Sequence, residues 1–506
     1  MEQPMQPAVV NTPKIDLKLQ GFLLSSFNIG NSIAENDPLL EKAQIRTQYF
    51  DDLFFQDRVD FVRGVKGAGK TALYRVLYNL QRAALEDDRI LMAFGVEPQG
   101  DPVFATYAST FDALTEAQFE EFWYGYFVYL ALQAISEKAE AIKPSPTDVD
   151  FIKQQFGDAA GTIFEENRPL SIGTKVEKWL KHIGHIEPEV TIETKPTGEV
   201  IYKPKIKIAA KELKSRPFQF NAEAKERLIR IAERANIKIW ILLDRLDEVF
   251  HRRSETERRA LRALLRAHYR FSEPRLRVKV LLREDIFETL SRGGFTALTH
   301  VGDRSSGVMS WTKRGLLHLV TKRLASMEHV AGVYGLNPEL IDGNADYQRE
   351  CFYKVFPAKI GKQPTFEWLI SSLRDGKDEV TPRDLIELLN NARNRQLETF
   401  KIDKRLQQTL IEEQALRDAL VDLSKDKRDR FLFAEFPNLR DDISAFRGGF
   451  SDYAEDDLKR KLGDEWKQKA EDLRAIGFLK FDGKKAIWKI PVIWRKGLDI
   501  RRGRSH

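Results

Sequence analysis

With 506 residues, of which 42% are hydrophobic and 31% charged, the chain has material for roughly three domains of ~150 residues and is not of a disordered composition. Cys351 is its only cysteine, which excludes an intramolecular disulfide and a cysteine zinc cluster and points to a reducing compartment, the cytoplasm. The net charge of +6 is concentrated: Lys480 to His506 holds nine Lys or Arg against Asp482 and Asp499, so the other 479 residues sum to about −1.

The opening stretch MEQPMQPAVVNTPK has prolines and no apolar run of signal-peptide length, and residues 1–26 are expected as a flexible arm. Residues 15–56 contain FNIGNSIAENDPLLEKAQIRTQYFDDLF, whose apolar spacing predicts one or two short helices before the first strand. A place against a nucleotide base is open to this segment, though its spacing does not establish one.

Next comes FVRGVKGAGKTALYRVL, Phe61 to Leu77, where Gly64, Gly69, Lys70 and Thr71 satisfy G-x-x-x-x-G-K-[ST]. The preceding RVDFV reads as a strand. Leu73, Val76, Leu77 and Leu80 recur at helical spacing after it. Glycines between a strand and a helix permit the tight path whose N–H groups surround a phosphate. The expected nucleotide-binding run is Gly64, Val65, Lys66, Gly67, Ala68, Gly69, Lys70, Thr71 and Ala72. Its ligand would be ATP with Mg²⁺: Lys70 on the β and γ phosphates, the Thr71 hydroxyl on the metal ion.

RILMAFGVEP predicts a second strand, and Thr115 with Gln118 a capping box before a helix buried through Phe119, Phe122, Trp123, Phe127, Leu130 and Ala134. That helix holds the most apolar run, Phe122 to Ile135, too short for a membrane span of ~20 residues. Between about 144 and 222 periodicity weakens, and EVTIETKPTGEVIYKPKIKI predicts a hairpin turning at Pro196, Thr197 and Gly198. This region reads as an insertion, either a partner-binding device or a passive elaboration. The strand IKIWILL then ends in Asp244, which would carry a carboxylate to the edge of the sheet and face Mg²⁺.

A basic helix, HRRSETERRALRALLRAHYR, leads to the strand RLRVKVLLRED, ending in Arg283. Two readings stand for that arginine: a group reaching the γ-phosphate, or a partner of Glu284 or Asp285. GVMSW is a further strand before the helix TKRGLLHLVTKRLA. Strands alternating with helices predict a parallel sheet with helices on both faces. In VTPRDLIELLNNA, Thr381 is the expected N-cap with Pro382 in the first helical position, so Arg383 projects from a first turn. From about Leu397 the chain reads as a helical unit with Leu458, Leu462, Trp466, Ala470 and Leu473 on one helical face, then a hairpin turning at Asp482-Gly483. Helix followed by a basic wing is the organisation of a winged-helix domain. Its lysines and arginines, interleaved with Trp488 and Trp494, serve either nucleic-acid phosphates or a protein partner.

GVKGAGKT, WILLDRLDE, LLRED and TPRDL, in this order, resemble the phosphate loop, Mg²⁺ strand, first sensor and second sensor of the AAA+ and STAND class of P-loop ATPases. DRLDE-type bacterial members, related to KAP-type and origin-initiator ATPases, are the nearest likeness. The resemblance spans roughly Phe27 to Ile500, less in the insertion. It implies an α/β P-loop ATPase domain over 27–325, a helical lid over 326–396 and a helical, winged-helix-like domain over 397–506. It also implies Asp244 as the Mg²⁺ carboxylate, with Arg283 and Arg383 as sensors, and an ATP-controlled switch that assembles into homo-oligomers. In bacteria many such switches serve anti-phage defence with an effector protein encoded nearby. The departure is Arg245, where many relatives carry a catalytic glutamate; Asp247 or Glu248 must then polarise the attacking water. The other reading is a nucleotide-controlled DNA-binding protein like an origin initiator. A small-molecule kinase needs less chain than this, and no HxH or HExxH pattern suggests a nuclease.

Overall fold

The computed structural model describes residues 13, 15–95, 114–154, 186–194, 200–208, 222–246, 255–291 and 302–504. Of the flexible arm expected over residues 1–26, residues 1–12 lie outside the described residues, as do the hairpin turn at Pro196, Thr197 and Gly198, much of the expected insertion, and the two candidate bases Asp247 and Glu248. The rest of that arm is corrected, since Leu17–Ser26 form a helix with Leu23 and Leu24 buried. The chain divides into two compact units: Met1–Arg46 with Lys66–Gly69 and Ser310–His506, and Thr47–Val65 with Lys70–Met309. Each has its own hydrophobic core. The first helix, α1 (Leu17–Ser26), belongs to the former.

The second unit is an α/β layer structure. In chain order it contains β1 (Phe61–Gly64), α2 (Lys70–Glu86), β2 (Ile90–Phe94), α3 (Glu116–Glu137), α4 (Pro146–Gln154), β3 (Ile186–Thr194), β4 (Val200–Ile208), α5 (Ala222–Arg234), β5 (Lys238–Leu243), α6 (Glu255–Phe271), β6 (Leu276–Arg283), α7 (Glu284–Ser291) and β7 (Ser305–Met309). Five strands form one sheet in the order β2-β5-β6-β1-β7, every neighbour parallel. Ile239 to Leu243 are all fully buried, as expected of strands covered by helices on both faces. Parallel neighbours cannot be joined by tight turns, so helices fill the crossovers. Helix α3 starts at the expected capping box of Thr115 and Gln118, and its Trp123 indole donates to the Ala260 carbonyl of α6 at 2.8 Å. The predicted hairpin is present as antiparallel β3 and β4. The basic look of α6 is absorbed locally, since Arg258, Arg266 and Arg270 pair with Glu255, Glu116 and Glu120.

The amino edge of this sheet is a buried ion network. Lys279, inside β6 and fully buried, lies 2.6 Å from Asp57 and 3.0 Å from Asp60, and Arg304 Nε donates to Asp60 at 2.6 Å. Lys238 reaches Asp57 at 2.8 Å, and His268 and Arg277 each stand 3.6 Å from Asp60. Opposite charges at these distances offset the desolvation each would suffer alone.

The first unit continues with α8 (Lys313–Ala325), α9 (Ala345–Val355), a two-residue ladder of β8 (Lys359–Ile360) and β9 (Gln363–Pro364), α10 (Thr365–Leu373), α11 (Pro382–Ile402) and α12 (Glu413–Lys427). Thr381 caps α11 as predicted, its side chain accepting from Asp384 N, with Pro382 in the first turn. A winged-helix-like section follows: β10 (Phe450–Tyr453), α13 (Glu455–Leu462), α14 (Trp466–Ala475), β11 (Lys480–Asp482), β12 (Ile487–Lys489) and β13 (Arg501–Arg504), in the sheet order β11-β12-β10-β13. Two expectations are corrected here. The apolar stripe from Leu458 to Leu473 belongs to two helices and not one, because Gly463 at φ +80° ends the first. Trp488 and Trp494 are core residues, 6% and 1% exposed; the Trp494 indole donates to Gly477 O at 2.8 Å, so neither ring is free to stack on a base.

Candidate nucleotide site

The phosphate-loop sequence joins β1 to α2, as its glycines and flanking periodicity predict. In the second unit, Gly64 ends β1 in register with Arg283 of β6, and Leu243 of β5 pairs with Val280. The carboxyl ends of β1, β6 and β5 therefore share one edge, the edge at which open parallel sheets bind ligands. Lys70 opens α2 and folds back over the loop, its Nζ donating to Gly64 O at 2.7 Å and Val65 O at 3.0 Å. Thr71 and Ala72 follow in the first turn, half-buried. Asp244 comes directly after β5 and is 3% exposed. Arg245 adopts φ +57°, a left-handed conformation uncommon for a residue with a long side chain, and this turns the chain out of the strand line.

Arg283 sits at the end of β6, its side chain 11% exposed. It forms a two-pronged ion pair with Asp285, Nε at 3.0 Å and Nη2 at 2.7 Å. Of the two sequence readings, this geometry is the second; reaching a phosphate would require leaving Asp285. Behind it Arg63 of β1 stands 3.4 Å from Glu284 and 4.3 Å from the Phe287 ring centre, fixing the start of α7.

The tip of the loop, Lys66–Gly69, belongs to the first unit. Gly67 and Gly69 have φ of +87° and +105°, values that side-chain-bearing residues avoid. A Cβ at Gly67 would come within 3.0 Å of Arg383 Cβ and 3.2 Å of Thr381 Oγ1, so the start of α11 lies directly on the tip. Arg383 donates from Nε to Ser32 O at 3.2 Å, so it meets a main-chain carbonyl. The segment around it is closely fixed. Asn390 donates to Gly30 O at 2.7 Å, and Arg323 bonds Ile29 O and Asp37 at 2.8 and 2.5 Å. Gly30 is required there, because a Cβ would lie 2.0 Å from Arg323 Nη1.

Three tip contacts were missed in the sequence. Lys66 Nζ pairs with Glu435 at 2.6 Å, the Trp311 indole donates to Ala68 O at 2.7 Å, and Thr381 packs on Gly67. Trp311 precedes a readable N-cap, Thr312, but nothing local marks Glu435 as a partner of the loop.

The residues present fit a nucleotide with its metal ion. In the second unit a lysine ammonium over Gly64 and Val65 and the start of α2 are donors suited to phosphate oxygens, and Thr71 and Asp244 are hard oxygen ligands suited to Mg²⁺. No helix among the described residues is long and apolar enough to cross a membrane.

No family model and no curated protein matches the chain. Among solved structures it is similar to the Aeropyrum pernix ORC2 protein in its ADPNP–ADP complexes, at 11% identity and a TM-score of 0.30, over 89% of this chain and 91% of that one.

Proposed function

We propose that this protein is an ATP-binding, slowly hydrolysing switch of the AAA+/STAND type. The observation that carries the reading is the strand–loop–helix from Gly64 to Thr71, with the Lys70 ammonium folded over the loop and Asp244 ending a strand of the same sheet. In the proposed site Lys70 and the loop amides hold the phosphates, and Thr71 and Asp244 hold Mg²⁺, which would neutralise charge developing on the transferred phosphoryl group. Arg383 and Arg283 act as sensors, Arg283 after release from Asp285. Asp247 or Glu248 positions the water. Arg245 stands where a carboxylate would otherwise accept the water's proton, and the loss of one well-placed general base typically costs ~10² to 10⁴ in rate. Turnover of the isolated protein is therefore expected well below ~1 per second, leaving the ATP-bound form as the signal.

Assembly into homo-oligomers, an effector protein partner and a part in anti-phage defence belong to this proposal through the resemblance of the motifs. Light scattering of the protein with and without a non-hydrolysable ATP analogue tests it: a rise in mass with the analogue is expected, and a monomer throughout removes the assembling switch. Single-turnover kinetics of Asp247→Ala and Glu248→Gln assign the base. A fast basal rate that neither lowers refutes the slow-hydrolysis reading.

A second reading, nucleotide-controlled DNA binding, is favoured by Lys484, Lys485, Arg502 and Arg504. All four are exposed and make no ion pair among the described residues. The hairpin register and the pairing of Arg504 with Asp452 bring the 483–486 turn and Arg504 towards one end of the winged-helix-like sheet. Substituting Lys484, Lys485 and Arg504 by Ala should flatten the log–log salt slope of DNA binding by about 2 to 3 units. An intact protein that does not bind DNA at low salt removes this reading.

A further inference from the structure

Glu435 lies far from every motif in sequence, yet it touches the phosphate loop. Its side chain is 4% exposed and accepts from Lys66 Nζ at 2.6 Å, across 369 residues of chain. Lys66 is one of the four variable positions inside the loop, where the backbone and not the side chain cradles phosphate. A buried carboxylate closing on that lysine fixes where the loop tip lies.

The carboxylate is itself rigidly mounted. It follows a π-helical turn, Arg428–Phe433, that extends α12, and precedes the 3₁₀ turn Pro437–Leu439. Phe431 stacks on Trp494 at 6.0 Å and meets Phe436 edge-on at 5.5 Å. At the end of α12, Lys427 bonds Asp384 at 2.7 Å and lies 5.0 Å from the Trp494 ring centre. Asp384 is next to Arg383, which packs on Gly67. Two routes thus lead from the winged-helix-like section to the loop tip, one ending on Lys66 and the other on Gly67, and both stay within one compact unit.

We infer that Glu435 is a positioning residue for the nucleotide site, pinning the phosphate-loop tip through Lys66 so that nucleotide occupancy and the state of the winged-helix-like section are coupled. The coupling is reciprocal by linkage: a partner that displaces the Glu435 turn weakens nucleotide binding, and bound nucleotide resists that displacement. This rests on the nucleotide reading above, but the pin itself is a claim about the loop alone.

The test uses the full chain, with Glu435→Gln, Lys66→Met and the double variant. Hydrogen exchange without nucleotide should show faster exchange of the Gly67 to Gly69 amides in Glu435→Gln, with β1 and the body of α2 unchanged. Titration with Mg²⁺ and a non-hydrolysable ATP analogue should show about a tenfold loss of affinity in Glu435→Gln. Lys66→Met should lose a similar factor and the double variant little more, since both remove one contact. Glu435→Asp should recover part of the loss. If Glu435→Gln does not fold, Lys66→Met carries both measurements. Unchanged loop exchange, exchange raised uniformly over the fold, or additive losses in the double variant would each overturn the pin. If the wild type shows the protected loop yet binds no nucleotide, the coupling to nucleotide and the proposed function fall together while the structural pin stands.

Discussion

At the amino edge of the parallel sheet Lys279 lies 2.6 and 3.0 Å from the carboxylates of Asp57 and Asp60, whereas at the carboxyl edge Lys70 donates at 2.7 and 3.0 Å to the main-chain carbonyls of Gly64 and Val65. Both lysines are buried, at 0% and 8% exposure. The contacts differ in what they do to the charge. A carboxylate neutralises an ammonium and both become fixed structure. A carbonyl dipole orients the ammonium, and a phosphate can replace that bond with a stronger, charge-assisted one. The amino-edge lysine is thus fixed between carboxylates, while the carboxyl-edge lysine has carbonyl bonds that a phosphate can take over.

Removing the structural lysine should produce the larger effect. Lys279→Met leaves Asp57 and Asp60 with less compensation in a buried site, and breaking such a pair costs about 3 to 5 kcal/mol. Urea unfolding followed at the second unit measures this. A loss below ~1 kcal/mol would show the amino edge to be no more than ordinary surface electrostatics.

Lys70→Ala should do the reverse, sparing the fold and removing the ligand. Carbonyls left behind at a loop can turn to water, so the fold should survive, with circular dichroism unchanged. Affinity for Mg²⁺-ATP should fall by about 10²-fold or more through the lost charge-assisted bonds. Equal affinity in wild type and variant, by calorimetry, would end the nucleotide reading.

These two edges were not equally legible. The carboxyl edge could be read because its chemistry is local: the loop spans Gly64 to Thr71, and Asp244 follows an uninterrupted apolar strand. The amino edge was invisible, since Lys279 within VKVLL reads as the solvent-facing member of a strand, and only the sheet order brings it to Asp57, 222 residues away. The same holds for Glu435 on Lys66. Trp488 and Trp494 read with the basic wing, but both are buried, and the Phe431 that stacks on Trp494 has no local trace in the tail. Periodicity also joined α13 to α14, because Gly463 reverses the backbone without disturbing the apolar spacing.

The smallest effect, and the most specific to the amino edge, is its response to acid. Burial alone would raise the Asp60 carboxyl; the adjoining His268, the Lys279 ammonium and the Arg304 guanidinium outweigh it and hold the group far below the usual carboxylate range. Asp57 is partly buried, which alone would raise it, and is lowered on balance by Lys279 and Lys238. A carboxyl lowered in the folded state lets the unfolded chain take up the proton first. Its stabilisation is therefore complete above the unfolded value of about 4 and is lost as pH falls through the lower folded value. At pH 3 an unfolded aspartate is about nine-tenths protonated while Asp60 in the fold is still ionised, so the loss from this one group between pH 7 and pH 3 is on the order of 1 kcal/mol. Asp60→Asn should start less stable at pH 7 and then fall by on the order of 1 kcal/mol less than the wild type on the way to pH 3. Because the two units need not open together, hydrogen exchange of β1 and β6 amides is the suitable measure. Parallel declines in wild type and variant would mean that Asp60 titrates like any exposed carboxylate, and the ion-locked amino edge would have to be abandoned.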